Sequence, residues 1–195
     1  MQRSKAARSA ATRSQLVATA TRLYAEHGYA GVGTEEIVRQ AGVTRGALYH
    51  HFADKRELFR AVHEAVERDV VRRIADGVAG LTDPWDLMVA GMRTYLDLCI
   101  EPTVRQISLI DAPAVLGWKE WREIDARYGL GLVRGALDAA MDAGVLQRRP
   151  VEPLAHLLLA AMAEAGLMVA TAADPAAERQ AVEEPLLTLL AGLRA

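Results

Sequence analysis

The sequence predicts an all-α protein of about nine helices, and three observations predict it. Alanine and leucine dominate while aromatic residues are only 5% of the chain, a composition that favours helices over strands. No stretch alternates apolar and polar residues with period two over five or more positions. Apolar residues instead recur at three- and four-residue spacing between glycine and proline punctuation. With 195 residues, 51% of them hydrophobic and 25% charged, the chain can bury a substantial core.

Residues 1–12, with Arg3, Lys5 and Arg8 among Ser and Ala, read as a loose basic arm. A helix is expected from about Ala10, carrying Leu16, Val17, Ala20, Leu23 and Tyr24 on one face, with Gly28 as its stop. Thr34 is the expected N-cap of a short second helix, with Glu35 and Glu36 placed to favour its positive end. That helix ends at Gly42, and Thr44 caps a third, from Arg45 to about His51. Asp54 and Glu57 have capping-box spacing and open a long fourth helix towards Gly77 or Gly80.

Proline leads the later boundaries. Asp83-Pro84 opens a helix carrying Met88, Met92, Tyr95, Leu96 and Cys99. Glu101-Pro102 opens a shorter piece through Ile110, and Ala112-Pro113 marks a break. A long helix from about Leu116 to Asp142 is closed by Gly144. Pro150 and Pro153 bracket the start of an apolar helix ending near Ala173, and Asp174-Pro175 starts the last one, which Pro185 should kink or split.

Charge is unevenly shared. Residues 1–60 carry ten Lys+Arg against five Asp+Glu, whereas residues 61–195 carry thirteen against twenty. A basic N-terminal part joined to an acidic remainder points to a polyanion partner at one end only. Two domains are therefore expected, 1–60 and 61–195. Cys99 is the single cysteine, which fits a reducing cytoplasm, and the arginine-over-lysine bias hints at a bacterial source. The N-terminus has no apolar run of signal-peptide length. The apolar stretch from Leu154 to Ala173 is interrupted by His156 and Glu164, so it reads as a buried helix rather than a membrane span.

The functional signal lies between Thr34 and Phe52. Two short helices joined by a three-residue turn containing Gly42 have the layout of a helix-turn-helix, and the turn asks for positive φ at that glycine. Ile37, Val38, Ala41, Val43 and Leu48 supply the packed faces, with small Gly46 and Ala47 allowing close approach. Thr44, Arg45, Tyr49 and His50 remain to meet phosphates or base edges. The run A-G-V-T-R-G-A-L-Y-H-H-F-A-D-K-R-E-L resembles the N-terminal domain of the tetracycline-repressor (TetR) family of regulators over roughly residues 12–60.

That resemblance implies specific roles. Thr34 and Thr44 would hold phosphates, Arg45 beside Gly46 would read a base, and Tyr49 and His50 would touch backbone or thymine methyls. Lys55 would contact a phosphate, while Phe52 and Leu58 would be core. It also implies a homodimer formed by the last two helices, a double-stranded, palindromic DNA operator and a small-molecule inducer. Recognition helices of such a dimer would sit about 34–36 Å apart, or a multiple of that.

Met88, Met92, Tyr95, Cys99, Ile107, Trp118, Trp121, Tyr128, His156 and Met162 are the candidate lining of an inducer pocket, and their thioether and aromatic character suggests a hydrophobic ligand. Ordinary core packing is the competing reading for each of them, and for His156 in particular burial as a satisfied histidine. Asp111 before Ala112-Pro113 reads as a cap. His63-Glu64-Ala65-Val66-Glu67 lacks the second histidine of a zinc motif and reads as one turn of a solvated helix. His50 and His51 are expected on different faces. Gly28, Gly31 and Gly33 lack the strand that a nucleotide fingerprint requires. No catalytic residue, metal or cofactor is read from the sequence. The expectation is a cytoplasmic, nucleoid-associated, ligand-responsive regulator, most often a repressor in this family. A helical small-molecule binder with an idle headpiece and a helical enzyme stand as alternatives.

Overall fold

The computed structural model describes residues 2–195, with side chains from residue 6 onward. Among these residues there are nine α-helices, one π-helical segment and no strand. In order they are α1 (Gln2–Gly31), α2 (Thr34–Gln40), α3 (Arg45–His51), α4 (Lys55–Gly77), α5 (Pro84–Ile100), the π segment (Val104–Asp111), α6 (Ala112–Leu116), α7 (Trp118–Asp142), α8 (Val151–Thr171) and α9 (Pro175–Ala191).

The caps explain most boundaries. Thr44 accepts from Ala47 N, Asp83 from Asp86 N, and Asp174 from Ala176 N and Ala177 N. Asp54 accepts from Glu57 N at 2.7 Å while the Glu57 carboxylate reaches back to Ala53 N. Thr34 departs from expectation: it is the first residue of α2, Gly33 stands at the cap position, and no side chain caps the helix. The loose basic arm is also corrected, because α1 already begins at Gln2; the side chains of Arg3 and Lys5 lie outside the described residues.

Two proline expectations fail for physical reasons. Ala112-Pro113 does not break the chain, since Pro113 sits in the first turn of α6, where no amide hydrogen is needed. The turn comes at Gly117, whose φ of 84° suits glycine. Pro185 does not split α9, which runs through it as one helix; Pro185 is exposed, so the carbonyl it leaves unbonded can be hydrated.

Helices α1–α3 pack around buried Leu16, Ala20, Leu23, Tyr24, Ile37, Ala41 and Leu48. Phe52, Leu58 and Phe59 bring the start of α4 into the same core, as expected for Phe52 and Leu58. Tyr24, Tyr29 and Phe59 form an aromatic triangle with centroids 5.0–5.7 Å apart.

The join between this headpiece and the larger helical body is built on a break in α1. Gly28 adopts φ 69° and ψ 166°, so the helical ladder is interrupted before one last turn to Gly31. The amide of Tyr29 donates to Asp111 Oδ2 at 2.7 Å, and its carbonyl accepts from Lys55 Nζ at 2.6 Å. Asp111 therefore caps the broken α1 and not its own helix, where it makes no side-chain cap. A Cβ at residue 28 would lie 3.2 Å from Gln106 Nε2, which shows how closely the π segment approaches. Arg56 adds donations to the carbonyls of Val115 and Leu116 and an ion pair with Glu120.

Asp111→Ala removes the acceptor for a part-buried backbone amide. It should cost about 1–3 kcal/mol and lower the melting temperature by several degrees in a thermal unfolding scan. An unchanged melting temperature would show that water replaces the carboxylate without loss.

Candidate nucleic-acid interface and buried ligand cluster

Helix α3 is anchored by Leu48 and presents the rest of its surface outward. Thr44, Arg45, Gly46, Tyr49 and His50 are all exposed, and Thr34 is half-buried at the start of α2. Gly42, with φ 62°, makes the turn that sets α3 across α2, and Gln15 Nε2 donates to Ala41 O at 2.7 Å to hold it. Arg45 lies 5.6 Å from the Tyr49 ring centroid and 3.6 Å from the Glu35 carboxylate. Exposed pairs of that kind are weak, so the guanidinium is free to exchange partners. Gly46 has open space where a Cβ would project, with only Thr44 Oγ1 near, at 3.9 Å.

Lys55 is placed differently from the others. Its ammonium is spent partly on Tyr29, whose carbonyl it bonds and whose ring centroid lies 4.0 Å away, and burial pulls its pKa below the ordinary value. His50 and His51, expected on separate faces, bring their rings together edge-on at 5.1 Å, and no group of three or more metal-ligating side chains occurs among the described residues.

The larger body divides the expected pocket residues into two sets. Met88, Met92, Cys99, Ile107 and Trp121 are buried, and Tyr95, Tyr128 and Met162 are half-buried. Trp118 and His156 are corrected. Trp118 is 61% exposed and borders an open surface depression with Arg60, Lys119 and Glu123. His156 lies on an exposed face of α8 beside Glu152 at 3.6 Å.

What the sequence reading missed is a polar cluster where α4, α5, the π segment, α7 and α8 meet. His63, assigned to a solvated turn, is fully buried, with Nδ1 3.2 Å from Ser108 Oγ and 3.6 Å from Glu67 Oε1. Its Nε2 has no hydrogen-bond partner. Glu67 also faces inward, its side chain only 14% exposed. Trp121 Nε1 donates to Ser108 O at 3.0 Å, and Arg122 pairs with Asp125 at 2.9 Å. Tyr95 bonds Cys99, and a Cβ at Gly166 would stand 2.6 Å from the Tyr95 hydroxyl, so glycine is required for that approach. The i,i+4 spacing of His63 and Glu67 was the available signal, because it places both on one helix face next to buried Val66 and Val70.

The electrostatics follow from burial. Desolvation, reinforced by the nearby Asp125 charge, pushes the Glu67 carboxyl up to about 7 despite a Ser108 hydrogen bond that acts against it. Burial pushes Asp125 up to about 6, with Arg122 opposing, and pushes the His63 imidazole down to about 4. Burial also drives the Cys99 thiol up to about 12, which leaves it protonated and unreactive.

A carboxyl raised on folding contributes stability that is full below its ordinary pKa of 4.5 and is lost as pH climbs through about 7. His63 runs the other way, its contribution being present above 6.5 and lost as pH falls through about 4. Glu67→Gln should therefore match the parent near pH 4 and become more stable than it by on the order of 1–3 kcal/mol near pH 8. Paired melts across that range check this; a constant difference between the two proteins would place Glu67 in contact with water.

Comparison with known proteins agrees with this architecture. Residues 16–62 match the family described as bacterial regulatory proteins, tetR family, and residues 85–193 match the tetracyclin repressor-like C-terminal domain. The transposon Tn10 TetC protein of Escherichia coli is 29% identical over 147 residues, covering 75% of this chain and 74% of that protein. The transcriptional repressor AcnR of Corynebacterium efficiens is 30% identical over 151 residues, covering 76% of each. A TetR-family regulator from Pectobacterium atrosepticum superposes with a TM-score of 0.88 at 32% identity, over 97% of both chains. RolR in complex with resorcinol shares the fold at 22% identity, with a TM-score of 0.75 over 94% of this chain and 89% of RolR. Headpiece and helical body together make this chain a member of the TetR family of transcriptional regulators, not an enzyme.

Proposed function

We propose that the chain is a cytoplasmic repressor that binds a palindromic operator as a homodimer and is released by a small molecule held in the helical body. The division lies near residue 60, with the headpiece before it and the inducer and dimer surfaces after it. The observation that carries the ligand-responsive part is the π segment. Its Ser108 touches the buried cluster and its Asp111, three residues on, holds the headpiece at Tyr29. A displacement at one end is thus delivered to the other through a single short element. Such a shift requires the ligand to bind the two headpiece settings with different affinity. RolR, of the same fold, was solved with a small molecule, which supports this class of effector.

The dimer reading rests on α8 and α9. Leu157 and Leu189 are 68% and 60% exposed, and Met168 is exposed as well. Helix α8 is apolar nearly all round but buried on one face only, so it needs a second surface, and a second copy is the fitting cover for the other face. In the headpiece, Thr34 and Thr44 are assigned to phosphates, Arg45 to a base edge, Tyr49 and His50 to backbone or thymine methyls, and Lys55 to a phosphate contact shared with its bond to Tyr29.

Fluorescence anisotropy on DNA from upstream of its own gene, against a random duplex across a salt series, tests the reading. Binding at least ~10³-fold tighter to the upstream DNA with a steep salt slope is expected, and equal weak binding to both would count against a specific repressor at that site. Arg45→Ala should cost about 1–3 kcal/mol on the cognate duplex and relax preference at one base pair. An equal loss on random DNA would reduce Arg45 to a phosphate contact.

A further inference from the structure

The buried cluster has more acceptors than donors. Glu67 and Asp125 bring two carboxyl groups into one neighbourhood, and among the described residues the one Lys or Arg paired with them is Arg122, on Asp125. The indole N–H of Trp121 is spent on the Ser108 carbonyl, and the Tyr95 hydroxyl on Cys99. His63 is fully buried and leaves one ring nitrogen without a partner. A purely structural network would satisfy these groups from within, since an unmet buried polar atom costs about 1–3 kcal/mol. The Glu67 and Asp125 side chains retain 14% and 17% of their surface exposed, so the cluster is reachable from outside.

We propose that His63, Glu67, Ser108 and Asp125 form the recognition floor for an uncharged small molecule that brings at least two hydroxyl hydrogen-bond donors. This rests on the ligand-responsive reading above and names the effector's chemical class. With Ser108 donating to Glu67, His63 Nδ1 donates to Ser108 Oγ and Nε2 is left as an unpartnered acceptor, which a ligand hydroxyl complements together with the remaining lone pairs of the Glu67 and Asp125 carboxyls. A cationic ligand fits less well, because Arg122 already neutralises Asp125 and Glu67 has its pKa close to neutrality. An acidic ligand would place its charge against Glu67, whose ionisation burial already opposes, and would find no unpaired cation in the cluster among the described residues. Trp121 and Tyr95 supply flat apolar walls beside the floor, which suits a hydroxylated ring. The donors would bond the charged form of Glu67 and so favour its ionisation. The expected hydrophobic inducer is thereby narrowed to one that is apolar on its faces and donating at its edge.

The test uses the full-length protein and six probes: the three benzenediol isomers, phenol, benzyltrimethylammonium and decanoate. Melting temperature and calorimetric affinity are read for each. At least one benzenediol is expected to raise the melting temperature and to bind ten-fold or more tightly than phenol. Glu67→Gln should weaken that diol at least ten-fold, and Ser108→Ala, a smaller change, should weaken it as well. Stabilisation by the ammonium or by decanoate but by no diol would overturn the proposal and leave the ligand-responsive reading standing. Diol binding indifferent to both substitutions would overturn it too. If no probe raises the melting temperature or binds, the proposal is overturned; a diol that binds but leaves operator affinity in the anisotropy assay unchanged would overturn the ligand-responsive reading instead.

Discussion

The peptide unit of Tyr29 is the joint on which the molecule hangs. The break at Gly28 leaves the Tyr29 amide without a ladder partner, and the end of α1 at Gly31 leaves the Tyr29 carbonyl with only a 3.4 Å backbone bond from Val32 N. The chain meets this debt with one group from each of two distant elements: the Asp111 carboxylate from the π segment and the Lys55 ammonium from the first turn of α4. Without the break the Tyr29 amide would not need Asp111, and the join would rest on Lys55, on the Arg56 bonds to Val115, Leu116 and Glu120, and on side-chain packing. Because the break exists, the orientation of α1 is tied to the position of two directional, charge-assisted bonds. The aromatic triangle of Tyr24, Tyr29 and Phe59 packs beside these part-buried bonds.

The interior of the larger body is stabilised on different terms. Most of it is aliphatic, with Leu96, Ile107, Ile124, Leu137 and Val169 fully or almost fully buried. Into that medium the sequence places two acids and an imidazole, and burial opposes ionisation of all three. Interiors selected only for stability avoid such groups, since apolar side chains of similar volume do as well or better. Their retention beside the π segment, a rare local geometry that concentrates at functional sites, is consistent with a role in recognition.

Local chemistry was legible in the sequence, and remote partnerships were not. The caps at Thr44, Asp54, Asp83 and Asp174, and the left-handed turn at Gly42, depend on residues within a few positions of each other, so spacing alone located them. Asp111 looked like a cap and is one, but of a helix 82 residues away in the chain, which no local pattern can encode. His63 and Glu67 were misread because polar residues on a long helix usually face water; only the neighbouring Val66 and Val70 betrayed the inward face. Trp118 and His156 erred in the opposite direction, an aromatic ring and a histidine in apolar company that the packing leaves outside. The roles proposed for Arg45 and its neighbours rest on a compact motif on one short helix, which the sequence carries whole and the structure presents at the surface.

Gly166 has a bearing on how this chain could diverge. Its missing methyl is what lets the Tyr95 hydroxyl lie against α8, at a spot remote in sequence from every headpiece residue. A single-nucleotide change from glycine to alanine would force that phenol to a new heading while leaving the DNA-facing ridge untouched. If the proposed effector seats beside Tyr95, lineages descended from such a protein would have a one-step route to a different effector under an unchanged operator.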